Sequence, residues 1–263
     1  MNEQQGLDPM FQENGSQWME GGLASEPLNV YTAKTFGWMF LGLLVTFGTA
    51  IAFSAGGGLY YLLTMGMPAV FALAIAEIVV VMVLSARLHK LSIGAARGLF
   101  FAYAVLNGIT FSAVFFAYDV QILLTVFALT SLYFGVLAAY GWFTKRDLSG
   151  LRPILTAGLI FLLVFWLISM FLPLSGFDRI ICFVGLAVFM GLTAYDTQKI
   201  KQLHAAFEGD YEMSKKASIF AALQLYLDFI NIFLYILPQR VFGVTTPGQL
   251  TIIGSRIPPS YKE

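Results

Sequence analysis

From residue 36 to residue 237, runs of apolar residues alternate with short polar connectors. A bilayer core of ~30 Å needs about 20 helical residues at ~1.5 Å rise each. Seven stretches predict helices of that kind: Phe36–Phe53, Ala69–Ala86, Gly98–Phe116, Ile122–Trp142, Ile154–Leu172, Ile180–Ile200 and Ile219–Leu237. Turn residues mark several connectors, at Gly56–Gly58, at Asp147 with Gly150, and at Pro173–Gly176. Trp38, Trp142, Tyr118 and Tyr140 fall near predicted helix ends, where rings with a polar edge favour the interface. The pattern predicts an all-α membrane protein, a seven-transmembrane-helix bundle occupying residues 34–240.

The two ends read differently. Residues 1–33 are polar, hold Glu3, Asp8, Glu13, Glu20 and Glu26, and contain no basic residue. They lack the positive start and apolar stretch of a secretory signal and predict a flexible acidic arm. Residues 241–263 form a tail, with a mildly apolar segment at Leu250–Ile253. No period of 20–50 residues points to a solenoid, and no inverted repeat is evident.

Composition sharpens the membrane reading. The chain is 58 % hydrophobic and 11 % charged, with a mean hydropathy of +0.77. A soluble domain carries about 25 % charged residues, so part of the solvent here must be lipid. Zero net charge and the lack of a basic run argue against nucleic acid as a partner. Basic residues also set the orientation. With a cytoplasmic N-terminus, the inner loops hold Arg87, Lys90, Arg97, Lys145, Arg146 and Arg152, and the last inner loop holds Lys199, Lys201, Lys215 and Lys216. The outer loops before the final helix hold only Arg179. Short basic loops stay cytoplasmic, so the N-terminus is expected inside.

Charges inside spans cost ~2.5–3.5 kcal/mol at the centre on insertion scales and usually face a partner or a cavity. Three carboxylates fall there: Glu77, Asp196 and Asp228. Gln224, Asp228 and Asn231 share one face of the seventh helix, a polar stripe that suggests protein around it. That makes the seventh helix a candidate for the centre of the bundle. Asp196 and Arg87 lie at similar depth near the inner boundary, so a pair between them is geometrically plausible. Glu77 is about ten residues outward of Arg87, or ~15 Å along the axis, and out of its reach. A lone buried carboxylate can also be a protonated contact between helices, and Asn107, Thr110 and Thr130 read as interhelical packing groups.

Enzyme chemistry finds little support. His89 and His204 are the only histidines, too few for a histidine-rich zinc site, and there is no nucleophile elbow. Cys182 is the only cysteine, so no intramolecular disulfide can form. No resident cofactor is expected.

The segments Ala194–Ile200 (AYDTQKI) and Leu225–Phe233 (LYLDFINIF) resemble the last two helices of the Bax inhibitor-1 family. Asn107–Thr110 (NGIT) and Thr144–Ser149 (TKRDLS) resemble it too, over about residues 30–240 in all, in motif order, helix count and loop position. The resemblance to bacterial members implies a seven-helix bundle with the seventh helix central, in the bacterial inner membrane. It implies a pH-sensitive calcium leak channel gated around two aspartates, here Asp196 and Asp228, which would also be the residues to meet Ca²⁺. It places the latching arginine at Arg87 and the acid of the second helix at Glu77, with Gln224 and Asn231 along the ion path. The segment between the two aspartates, with Glu208, Asp210 and Glu212, is longer than in the simplest bacterial members.

The chemistry of the residues agrees with that implication. Two carboxylates in contact cannot both ionise cheaply, so they would share a proton and respond to pH without a histidine. Hard cations such as Ca²⁺ take oxygen ligands, which carboxylates and side-chain amides supply. Two other functions use the same residues: a proton-coupled transporter of a small solute, and a non-conducting regulator of membrane-protein partners such as a membrane protease.

Overall fold

A computed structural model describes residues 26–169, 172 and 175–237. Most of the acidic arm and the whole tail from residue 241 lie outside the described residues. The elements are α1 (Leu28–Ala55), the short α2 (Gly58–Thr64), α3 (Met67–Ala86), α4 (Ile93–Ala117), α5 (Val120–Phe143), α6 (Arg152–Ser169), α7 (Asp178–Ala206) and α8 (Tyr211–Ile236). All but α2 are long and apolar enough to cross a membrane, giving seven candidate spans. No strand occurs among the described residues.

Helix ends depart from the sequence reading where polar residues extend a helix beyond its apolar stretch. The first helix starts at Leu28, inside the segment assigned to the arm, because Tyr31 and Thr35 already bury there. Thr35 and Ser218 share a hydrogen bond of 2.9 Å, tying α1 to α8. The α7 helix runs on to Ala206 and α8 starts at Tyr211, capped by Asp210, whose Oδ1 accepts from Met213 N at 2.9 Å. Glu212 therefore belongs to α8, not to a loop. Its carboxylate accepts from buried Lys216, which also donates to the carbonyls of His89 and Leu91 and so pins the α3–α4 connector to α8.

Burial is uneven. Of the most apolar stretch of α8, 61 % is buried, against 6 % in α3 and 11 % in α6. The α8 helix packs against α7, α1, α5 and α4, whereas α6 packs chiefly on α7 and α3 chiefly on α4. Small residues permit the closest approaches. A Cβ on Gly108 would lie 2.6 Å from the Thr46 carbonyl oxygen of α1, and one on Gly141 would collide with the Ala194 backbone of α7.

Candidate functional site

Asp196 stands on α7 and Asp228 on α8, and only 6 % and 3 % of their surfaces are exposed. Extracting carboxylates from solvent is costly unless donors compensate. Here compensation is incomplete: Asp196 Oδ1 and Asp228 Oδ2 are buried with no hydrogen-bond partner among the described residues. The charge of Asp196 acts on Asp228, and Lys199 acts electrostatically on both. Lys199 follows Asp196 by three residues, so both project from one face of α7. Its Nζ donates to Gln224 Oε1 at 3.2 Å and sits 5.4 Å from the Phe220 ring centroid and 5.9 Å from that of Tyr195.

These groups line one cavity of about 940 Å³ between α6, α7 and α8, with Ile78 of α3 at its side. Gln224, Asp228 and Asn231 all face it, as the stripe along the seventh span predicts. Asn231 is held by its own helix, Nδ2 donating to the Leu227 carbonyl at 2.7 Å. Arg152 and Lys199 line one end, Ser169 and Ile181 the other. From Arg152 to Ser169 is about 17 residues, or ~25 Å of helix, so the cavity runs most of the length of the spans.

Two predicted site residues lie elsewhere. Arg87 caps the end of α3 with its side chain exposed, and no ion pair joins it to Asp196 among the described residues. The latch expected at Arg87 is not formed: matched depth does not place two side chains on facing sides of their helices. The cation beside Asp196 is Lys199. Glu77 is absent from the cavity wall; its Oε1 accepts from Thr110 of α4 at 2.5 Å, and its charge reaches Tyr103 and Tyr226 on the other side of α8. Sequence reasoning does not reach Lys199 and Arg152 as site residues, because both fall near helix ends beside basic connectors, where basic residues are ordinary. The spacing of Lys199 from Asp196 was the available signal.

No cluster of three or more His, Cys, Asp or Glu able to hold a metal occurs among the described residues. The two aspartates with the amide oxygens of Gln224 and Asn231 are thus a sparse set for Ca²⁺, which takes about 6–8 oxygen ligands.

The family described as "Inhibitor of apoptosis-promoting Bax1" matches residues 28–243. The chain belongs to the Bax inhibitor family. It is 39 % identical over 217 residues to "Inner membrane protein YbhL" of Escherichia coli K12, covering 82 % of this chain and 92 % of that protein. An uncharacterized protein of Deinococcus radiodurans is 37 % identical over 214 residues, covering 81 % and 90 %. One from Borreliella burgdorferi is 34 % identical over 209 residues, covering 80 % and 90 %. The family match and the seven apolar helices make this an integral, multi-pass membrane protein.

The segments that carry the family resemblance meet in the structure. Gln198, within AYDTQKI, accepts from Leu148 N at 2.9 Å and donates to the Arg146 carbonyl at 2.8 Å, both within TKRDLS. Lys201 donates to the Trp142 carbonyl and lies over its ring. The end of α5 is thereby fixed to α7, one turn beyond Asp196. In NGIT, Gly108 makes the close approach to α1, and Thr110 holds Glu77.

Proposed function

We propose that this Bax inhibitor family protein is a pH-sensitive cation leak channel with calcium as its ion, gated by Asp196, Asp228 and Lys199. One observation carries the reading: two buried carboxylates on adjacent helices each leave an oxygen without a donor, on the wall of a cavity that runs most of the length of the spans. A proton shared by the acids supplies the donor both oxygens lack, and its loss leaves two negative charges to attract a cation. Lys199 takes the part that the resemblance gives to Arg87. Its charge offsets one carboxylate and its ammonium holds Gln224, so α7 and α8 stay together. A sparse ligand set suits conduction, since an ion must leave as readily as it enters.

The basic connectors support a cytoplasmic N-terminus, and the similarity to an inner membrane protein supports the same location here. The cavity volume also falls in the range of small-molecule sites, ~300–1,000 Å³, which favours proton-coupled solute transport as the second reading. Ca²⁺ entry into liposomes holding the purified protein tests the first. We expect flux that changes with pH in wild type and loses that dependence in Asp228→Asn. Flux equal to that of empty liposomes at every pH overturns channel activity, and counter-flow of solutes then tests the transporter.

A further inference from the structure

The wall of the same cavity has an apolar side that the acids do not use. Ile78 of α3 and Leu159, Leu163 and Trp166 of α6 line it, and these side chains are 42 %, 41 %, 47 % and 44 % exposed. The two helices find their main partners elsewhere, α3 on α4 and α6 on α7. Only 6 % of the apolar stretch of α3 and 11 % of that of α6 are buried, so an opening of the cavity between these two helices would face lipid. Acyl chains already surround such an opening, and an apolar wall offers them no hydrogen-bond partner to satisfy.

The end of the cavity nearest the α5–α6 connector has a different chemistry. Arg152 is exposed there at the first turn of α6, and no carboxylate lies within ion-pair distance of it among the described residues. Its charge reaches Lys199, so two cations share this end. Lys199 is engaged by Gln224 and the two aspartates, which leaves the guanidinium of Arg152 over. A planar guanidinium with free donors matches a phosphate oxygen pair, and the helix start adds its own positive end. Arg152 also stands at the predicted membrane boundary, at the depth of lipid headgroups.

We propose that this cavity is a binding site for one anionic phospholipid of the leaflet on the Arg152 side. One acyl chain enters between α3 and α6 and lies along Leu159, Leu163 and Trp166. The phosphate stays at the interface on Arg152, with Lys199 behind it. The length of the cavity, ~25 Å of helix, accommodates the chain within one bilayer core of ~30 Å. This assignment stands whether or not the protein conducts ions.

Native mass spectrometry of the full chain in detergent tests it, with phosphatidylglycerol, phosphatidylcholine of the same chains, or palmitate added. We expect one phosphatidylglycerol retained per protein in preference to phosphatidylcholine. Arg152→Gln should weaken retention about fivefold, the loss expected for one basic contact at a lipid surface. Arg146→Gln, a basic residue of the same connector outside the cavity, should leave retention unchanged. Leu159→Trp, which fills the apolar wall from a half-exposed position, should abolish the single retained lipid. Equal retention of the two phospholipids, equal effects of Arg152→Gln and Arg146→Gln, or retention of palmitate without phosphatidylglycerol would each overturn the proposal.

Discussion

The two sides of α8 are built on opposite terms. Tyr226, Phe229 and Phe233 form one side, edge-on to Phe100, Tyr103, Phe127, Phe134 and Phe47 of α1, α4 and α5. Tyr226 is fully buried yet satisfied, its hydroxyl paired at 2.6 Å with Thr46, which donates in turn to the Ala104 carbonyl. The other side carries Gln224, Asp228 and Asn231 and meets a cavity, with polar atoms left over. Where every ring has a neighbour, the helix has one position to occupy. Where a cavity and two acids stand instead, small shifts cost little contact. One helix thus has a fully packed side and a side that meets a cavity, the arrangement the proposed gate requires.

The largest effect should come from attacking the packed side. Tyr226→Ala removes a buried ring and one of the hydrogen bonds of Thr46, a change worth ~3–5 kcal/mol for large core truncations. Thermal unfolding in detergent should show a loss of many degrees, whereas Leu227→Ala, one residue away on the cavity side, should change it little. Equal losses would erase the distinction between the two sides.

A smaller effect distinguishes the cation that acts on the acids. Hydrogen bonds to charged groups contribute ~1.5–3 kcal/mol, so Lys199→Gln should raise the leak at neutral pH about tenfold. Arg87→Gln should change it less than about twofold, since Arg87 is exposed and apart from Asp196. Calcium flux into liposomes reads both, and a reversal of the two outcomes would restore Arg87 as the latch.

The smallest effect lies outside the spans. Glu26 sits where burial would raise its pKa, but hydrogen bonds from Lys34 and Lys215 prevail and hold it below its ordinary value. Lys215 Nζ lies 2.9 Å from Oε2, and the Glu26 carbonyl is 2.6 Å from His204 Nε2, so the residue joins α1, α7 and α8. A depressed carboxylate adds stability above its unfolded pKa, and that stability is lost as pH falls through the folded one. Lys34, one of its two cations, is 48 % exposed, so solvent screens the contact and the contribution should stay below ~1 kcal/mol. Glu26→Gln should remove this part of the acid sensitivity of unfolding below about pH 4.5 and leave stability at pH 7 slightly reduced. An acid limb of unfolding identical to wild type would show that the contact contributes nothing.

Much of this arrangement was legible in the residues. Seven apolar stretches, the buried positions of Asp196 and Asp228, and the stripe of Gln224 and Asn231 follow from span length and helical period alone. Depth along an axis is also readable, which is why Arg87 and Asp196 were matched. The angle at which a side chain leaves its helix toward a neighbour is set by packing, and there the sequence is silent. It matches Arg87 to an acid with which it forms no ion pair and sets Glu77 beside a cavity whose wall it does not join. Helix ends were missed for a related reason. Residues 201–206 and 211–218 are too polar to signal a span, yet their hydrogen bonds to neighbouring connectors keep them helical. The short α2 was missed because its seven residues follow a glycine run that reads as a turn.

The central claim is that Asp196 and Asp228 titrate as one unit that gates flux. The pH dependence of Ca²⁺ flux should be measured for wild type, Asp196→Asn, Asp228→Asn and the double variant, in liposomes of one composition. If the pair holds one proton, each single variant abolishes or moves the same step, and the double variant adds nothing further. Independent shifts that add in the double variant, or four superimposable pH profiles, would contradict the account.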